Sequence, residues 1–251
     1  MSFSIDISEE AGVRYLHFGS RWIQGAMRIA RPWNLELDYT KEMMAPLLLR
    51  DERHFPRKVL LVGLGAASLT KFIYRNLPLT HLTIIEIEPR VVVAAKQYFK
   101  LPEDDKRIHM VIQDGMQYVL ETNKKFDLIL VDGFNERAHP GELNTLPFYQ
   151  ACRTRLTEQG IMAVNLIGLA RGVKGGFEFI ETAFDGRAMM FPSCDSGNVI
   201  AFATAGDAIE MALDDMRERA TELKENSGLN LLPTITRLEQ SATCPGGKLK
   251  L

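Results

Sequence analysis

The chain has 251 residues, 46% hydrophobic and 25% charged, with 30 Lys and Arg against 32 Asp and Glu and a formal net charge of −2. This is a globular composition with room for one large domain or a domain and an appendage, and it offers nucleic acid no basic field. No apolar run approaches the roughly 18 residues that span a bilayer, and the opening MSFSIDISEE has no cationic or apolar leader region. Neither nucleic acid nor membrane is therefore expected as a partner. Cys152, Cys194 and Cys244 lie far apart, and with the five histidines they form no metal-ligand spacing. A cytoplasmic protein without a bound metal is the expectation.

Residues 1–56 are read as a small N-terminal β region with a linking helix. VRYLHF (13–18), MRIA (27–30) and LELDY (35–39), broken by Gly19, Gly25 and Pro32, alternate as strands of an antiparallel sheet do. A helix is predicted over 40–55, with Met43, Met44, Leu47 and Leu48 on one stripe and Pro56 closing it. From 57 to 206 short apolar runs alternate with helical ones. VLLVG (59–63), LTIIEI (82–87), IHMVIQ (108–113), FDLILVD (126–132) and IMAVNLI (161–167) read as strands buried on both faces. LTKFIYRNL, PRVVVAAKQYF, PFYQACRTRL and FEFIETAF read as their crossover helices, which implies a parallel sheet. RAMMF (187–191) and VIAFAT (199–204) are expected to close the sheet as an antiparallel hairpin around PSCDSGN. Residues 207–251 are read as a C-terminal helix and tail. Asp207 and Glu210 have capping-box spacing before a stripe of Ile209, Leu213, Met216, Ala220 and Leu223 that Gly228 ends. The tail SATCPGGKLKL has little to bury and is expected to fray.

Ligands of open parallel sheets bind outside the carboxyl ends of the strands, so the polar residues at those ends carry the functional signal. The first strand ends in Gly63-Leu64-Gly65, followed by Ala66, Ala67 and Ser68. The turn permits close ligand approach to the backbone, but it lacks the third glycine of a dinucleotide fingerprint. Glu86, 23 residues after Gly63, has the spacing of a ribose-binding acid, whereas Glu88 suits a cap for the helix at Pro89. Asp114, before Gly115, fits either an exocyclic amine or the N-cap of the next helix. Asp132 places another carboxylate at the sheet's mouth. Acids at three successive strand ends beside a Gly-x-Gly turn point to an adenosine-type ligand. The missing glycine favours a nucleoside with a sulfonium arm over a dinucleotide.

Over roughly residues 14–206 the chain resembles the spermidine/spermine synthase (polyamine aminopropyltransferase) family. The resemblance runs through WIQGAM, YTKEMM, RKVLLVGLGAASL, IIEIEPRVV, QDGMQYV, FDLILVDGF and FYQACRTRLTEQGIMAVN. It implies a Rossmann-like α/β fold: a seven-stranded, mostly parallel, class I methyltransferase-like sheet behind a small N-terminal antiparallel β-sheet. It also implies a homodimer or higher homo-oligomer. By resemblance Glu86 holds ribose, Asp114 and Gly115 the adenine edge, and Gly63 and Gly65 the nucleoside, with Gln24 lining the pocket. The donor implied is S-adenosylmethionine or its decarboxylated form, and the acceptor a small amine.

The departures concern the amines. The family's loop reads GGGDG, and its acid, which holds the donor's amine, is Ala66 here. The second acid of the family's D-x-x-D motif is Asn135, and the polyamine-contacting tyrosine aligns with Thr40, beside Tyr39. Asp132 is left as the proton acceptor, with Glu136 as substitute and Asn135 and Tyr39 beside the acceptor substrate. Aminopropyl transfer is the leading expectation. Methyl transfer and a non-catalytic nucleoside-binding protein are the alternatives. The polar segment 133–145 is expected to cover the site. Phe177, Phe179, Phe184, Trp22 and Trp33 are read as packing residues and DDMRERATELKE as a solvated helix face. RGVKGG (171–176) and the Asp195 turn receive no role.

Overall fold

The structure is a computed structural model that describes residues 4–20, 22–50, 55–104, 106–167, 170–193, 197–241 and 243–251. His54, Cys194 and Asp195 lie outside these residues. The N-terminal sheet comprises β1 (Ile5–Glu10), β2 (Val13–Phe18) and β3 (Ile23–Arg28), antiparallel in that order. Leu16, Phe18 and Met27 bury its inner face. Strand β1 was not anticipated, and 35–39 is not a strand. A short helix α1 (Asp38–Glu42) begins inside that segment instead. The helix expected over 40–55 is two pieces, because Pro46 has no N–H to continue α1 and opens α2 (Pro46–Leu49).

The main sheet is built from β4 (Lys58–Val62), α3 (Ser68–Asn76), β5 (His81–Glu86), α4 (Pro89–Phe99), β6 (Ile108–Ile112), α5 (Gly115–Glu121), β7 (Phe126–Val131), α6 (Leu146–Arg155), β8 (Leu156–Leu166), α7 (Ala170–Ala183), β9 (Ala188–Met190) and β10 (Val199–Thr204). Its seven strands run β6-β5-β4-β7-β8-β10-β9. The first five are parallel, and β10 pairs antiparallel with both β8 and β9, so the expected closing hairpin is present. Val59 and Leu61 of β4 pack into the core shared with the N-terminal sheet and the C-terminal segment, while Leu60 and Val62 pack against Phe148 and Tyr149 on the other face. Burial on both faces explains the unbroken apolar runs. Helix α7 begins earlier than expected, and residues 171–176 form its first turns.

The C-terminal segment corrects two expectations. Asp207 and Glu210 cap no helix: β11 (Glu210–Ala212) precedes α8 (Leu213–Ser227). The tail is held, because after α9 (Leu232–Gln240) the strand β12 (Lys248–Lys250) pairs with β11. Ile209 and Leu251 exchange backbone hydrogen bonds, and Cys244, Leu249 and Leu251 are buried. The stripe Leu213, Met216 and Ala220 does bury one face of α8, and Gly228 ends it. No helix among the described residues is long and apolar enough to cross a membrane.

Two positions yield stability predictions. Gly63 leaves β4 at φ +97°, and a Cβ there would lie 2.3 Å from the carbonyl oxygen of Asp132. Gly63→Ala is expected to lower the unfolding free energy by about 2 kcal/mol or more; an unchanged urea midpoint would contradict this packing. Lys71 of α3 is buried, and its Nζ has no hydrogen-bond partner among the described residues. Burial, and then the charge of Lys100, lower its pKa to about 7. Between there and roughly 10.4 the unfolded chain binds the proton and the folded protein does not, so stability rises with pH across that window, by up to about 1.4 kcal/mol per pH unit. Lys71→Met should flatten this part of the stability-against-pH curve, and an unaltered slope would place the titration elsewhere.

Candidate active site

Strand order reverses at β4, which has β5 on one side and β7 on the other. The register aligns Val62 with both Ile85 and Val131, and Glu86 with Ile112. The residues just beyond these ends therefore meet. Gly63, Gly65, Glu86, Asp114, Gly115, Asp132, Asn135 and Gln24 all line one cavity of about 360 Å³, within the size range of small-molecule sites. Gln24 comes from β3, whose neighbouring Gly25 touches the glycine turn: a Cβ on Gly25 would stand 2.5 Å from that of Ala66. Ala66 is thus buried against the N-terminal sheet and lines neither this cavity nor the next.

Glu86 is 8% exposed, and its carboxylate accepts backbone N–H groups from Leu64 and Glu88, each at 3.0 Å. A carboxylate has about four lone-pair sites, so acceptor capacity remains for a ligand donor. Burial raises its pKa, against the lowering effect of the backbone hydrogen bonds from Glu88, Leu64 and Ile87. Glu88 caps α4 as its position predicts, accepting from the Arg90 N–H, and the Arg90 side chain lowers its pKa to about 2. Asp114 is the N-cap of α5, its Oδ1 accepting from Gln117 N at 2.9 Å, and the residue also lines the cavity.

A second cavity of about 380 Å³ adjoins the first and shares Gln24, Asp132 and Phe134 with it. Tyr39 lines this second space, together with Trp22, which is 61% exposed. The Tyr39 hydroxyl donates to Asp132 Oδ2 at 3.2 Å, and Asn165 Nδ2 donates to Oδ1 at 2.8 Å. Asn198 Nδ2 in turn donates to Asn165 Oδ1 at 2.9 Å. Burial raises the pKa of Asp132, while the hydrogen bonds from Asn165 and Tyr39 oppose that rise. Asn165 and Asn198 were missed in the sequence, although Asn165 is the one polar residue in IMAVNLI.

Segment 133–145 folds over the first cavity, which His139, Pro140, Glu142 and Leu143 line. Leu143 lies against Gly115 and Gly133, where added Cβ atoms would come within 3.0 Å of it. Asn135 Oδ1 accepts the backbone N–H groups of Arg137 at 2.9 Å and His139 at 3.0 Å, so this oxygen shapes the segment. Glu136 is not brought to either cavity and faces Arg137 at 3.9 Å. Among the described residues no group of three or more His, Cys, Asp or Glu side chains could hold a metal ion.

The comparisons with known proteins agree with this architecture. The model of the spermine/spermidine synthase domain matches residues 37–165. A polyamine aminopropyltransferase of Chromobacterium violaceum is 32% identical over 245 residues, covering 98% of this chain and 93% of that protein. Among solved structures, a probable spermidine synthase from Corynebacterium glutamicum superposes with a TM-score of 0.73 at 16% identity, over 88% of this chain and 84% of the other. A spermidine synthase in complex with the transition-state analogue AdoDATO superposes with a TM-score of 0.60 at 23% identity, over 80% of this chain and 74% of that one. At such identities the structural likenesses speak for the fold alone. With the domain match and a relative this similar over nearly its whole length, the chain belongs to the spermine/spermidine synthase family.

Proposed function

We propose that this protein transfers the aminopropyl group of decarboxylated S-adenosylmethionine to a small amine. The observation that carries the reading is the meeting of Glu86, Asp114 and Asp132 around one glycine-floored cavity. The residues present fit an adenosine-type donor: Gly63 and Gly65 leave the floor bare, Glu86 offers lone pairs to ribose hydroxyls, and Asp114 offers a carboxylate to the adenine amine. The relatives named polyamine aminopropyltransferase favour the aminopropyl donor. The acceptor would occupy the second cavity, with its reacting nitrogen at Asp132, the acid that lines both spaces.

The donor supplies a carbon activated by a sulfonium. As the acceptor nitrogen bonds to that carbon, the carbon–sulfur bond breaks and its electron pair stays on a neutral thioether, methylthioadenosine. The proton lost by nitrogen goes to the Asp132 carboxylate. Tyr39 holds the other side of that carboxylate, and the cavity walls position the reactants and exclude water. Asn135 cannot take a proton, and its Oδ1 already serves the backbone of its own segment. Ala66 supplies no acid to the donor's amine, and a hydrogen bond to a charged group is worth about 1.5–3 kcal/mol, so donor affinity should be roughly tenfold to a hundredfold below that of a site with the acid. A cytoplasmic homo-oligomer completes the reading; the described cysteines, Cys152 and Cys244, are free thiols, as a reducing compartment keeps them.

Calorimetry with methylthioadenosine, S-adenosylmethionine and its decarboxylated form tests the donor. Binding of the decarboxylated form followed by turnover with a diamine is expected. Methyl transfer from S-adenosylmethionine, or binding without turnover across an amine panel, would replace the reading with one of its alternatives. Asp132→Ala should lower kcat by about 10²–10⁴-fold, with methylthioadenosine still bound. Because the ionised carboxylate is the acceptor, kcat/KM should rise with pH through an acid limb lying above about 3.9, the ordinary aspartate value, in keeping with the effect of burial. A profile without that limb would remove Asp132 as the base.

A further inference from the structure

The chain Asn198–Asn165–Asp132–Tyr39 crosses four elements: the start of β10, the end of β8, the end of β7 and α1. Its amides are neutral and buried, Asn165 at 3% and Asn198 at 6% exposure, and both line the second cavity. Each amide has one donor end and one acceptor end, whereas an ionised carboxylate only accepts. Asp132 therefore obliges Asn165 to present Nδ2, which turns Asn165 Oδ1 towards Asn198 and obliges that residue to present Nδ2 as well. The observed bonds, 2.8 Å and 2.9 Å, run in this sense. The main-chain carbonyl of Asn198 accepts from Ser193 Oγ at 3.1 Å. Turning the Asn165 amide over would break both of its contacts along the chain, and turning that of Asn198 would break its bond to Asn165.

We propose that Asn165 and Asn198 are positioning residues: a two-amide brace that fixes the Asp132 carboxylate in the orientation in which it meets the acceptor nitrogen. The proposal rests on the aminopropyl-transfer reading and deepens it. A site with two acids can divide the work of holding the amine and taking its proton. Here Asn135 stands in the second place, and Asp132 is, among the described residues, the one acid that lines both cavities. Glu36 and Asp38 at the second cavity are paired with Arg28 and Lys41, so both tasks fall to the Asp132 carboxylate in one geometry, and its rotation has to be restrained from behind. Asn165 supplies the restraint on Oδ1, and Tyr39 completes it on Oδ2.

The test needs a readout that a merely structural role would not move. Among the described residues, the titratable groups that line the two cavities with Asp132 are Tyr39 from α1, Glu86, Asp114, His139 and Glu142 around the first, and Glu36 and Asp38 around the second. None of these is altered by Asn165→Leu or Asn198→Leu, which keep side-chain size and remove the hydrogen bonds. Two measurements on the full chain are compared: carbon-13 titration of the Asp132 carboxyl, assigned with Asp132→Asn, and the pH profile of kcat/KM with an amine acceptor. Asn165→Leu should move both to higher pH and lower kcat/KM about tenfold or more at the wild type's half-maximal pH, with methylthioadenosine affinity unchanged.

Asn198→Leu should act in the same direction but more weakly, since its described link to Asp132 runs through Asn165. In the Asn165→Leu background it should add nothing, a coupling that the double-variant cycle reads directly. If Asn165→Leu does not fold, Asn198→Leu still reports, because Asn198 makes no hydrogen bond to Asp132 among those described. Titrations that stay in place in the single variants would overturn the brace, as would strictly additive effects in the double variant. A titration that moves in a protein that turns over no amine would keep the brace and sink the transfer reading beneath it.

Discussion

The site depends on one close approach. Where β4 ends, Gly63 lies so near the carbonyl of Asp132 that no side chain fits between the two strands. That contact keeps β4 and β7 together at the point where the strand order reverses, and the Asp132 N–H completes it by bonding to Val62 O at 2.9 Å. A ligand cradle on one strand and a carboxylate on the other become parts of one site only because the backbones meet this tightly. The N-terminal sheet joins under the same kind of constraint, with Gly25 set against Ala66. The turn is bare of side chains on two sides: one faces the first cavity, the other admits β3.

Around this contact the carboxylates sit in an unfavourable place. Water is a better solvent for charge than the end of a buried sheet, and burial raises the pKa of both Glu86 and Asp132. Each is supplied with donors of a different kind. Glu86 receives backbone N–H groups, which belong to the turn itself and persist whatever side chains surround them. Asp132 receives side-chain donors from elements distant in sequence, so its state depends on residues whose identity is free to change. Under the proposed function, nucleoside contacts built on backbone donors can persist while the side-chain donors to Asp132 change; of the two departures from the family pattern, Asn135 lines the first cavity and Ala66 neither.

The difference also explains what the sequence made legible. Strands such as VLLVG and FDLILVD are apolar on both faces, so their type follows from composition and their charged ends stand out. Acids at the ends of parallel strands can be read because the strands alone decide where they go. The short β11 and β12 could not be read, since three residues such as KLK become a strand only through a partner nearly forty positions away; β1 pairs with the adjacent β2 but is mostly exposed, with only Ile5 and Ile7 partly buried, and so carries little apolar signal. Asn165 and Asn198 belong to this second kind. Antiparallel pairing sets Ile200 opposite Asn165, and only that register brings the preceding Asn198 within reach of it. Pro46, by contrast, was a local signal, and its missing N–H is enough to divide the helix expected over 40–55.

The segment above the first cavity has a further consequence. Asn135 ties its own side chain and backbone to Arg137 and His139, and Leu143 is wedged over Gly115 and Gly133. Much of the conformational freedom of a covering loop is thereby lost during folding of the chain. A ligand entering beneath it meets a roof already in shape, and the ordering cost that weakens binding to floppy covers is largely absent. Association should accordingly be limited by passage through the mouth, with little further tightening after contact.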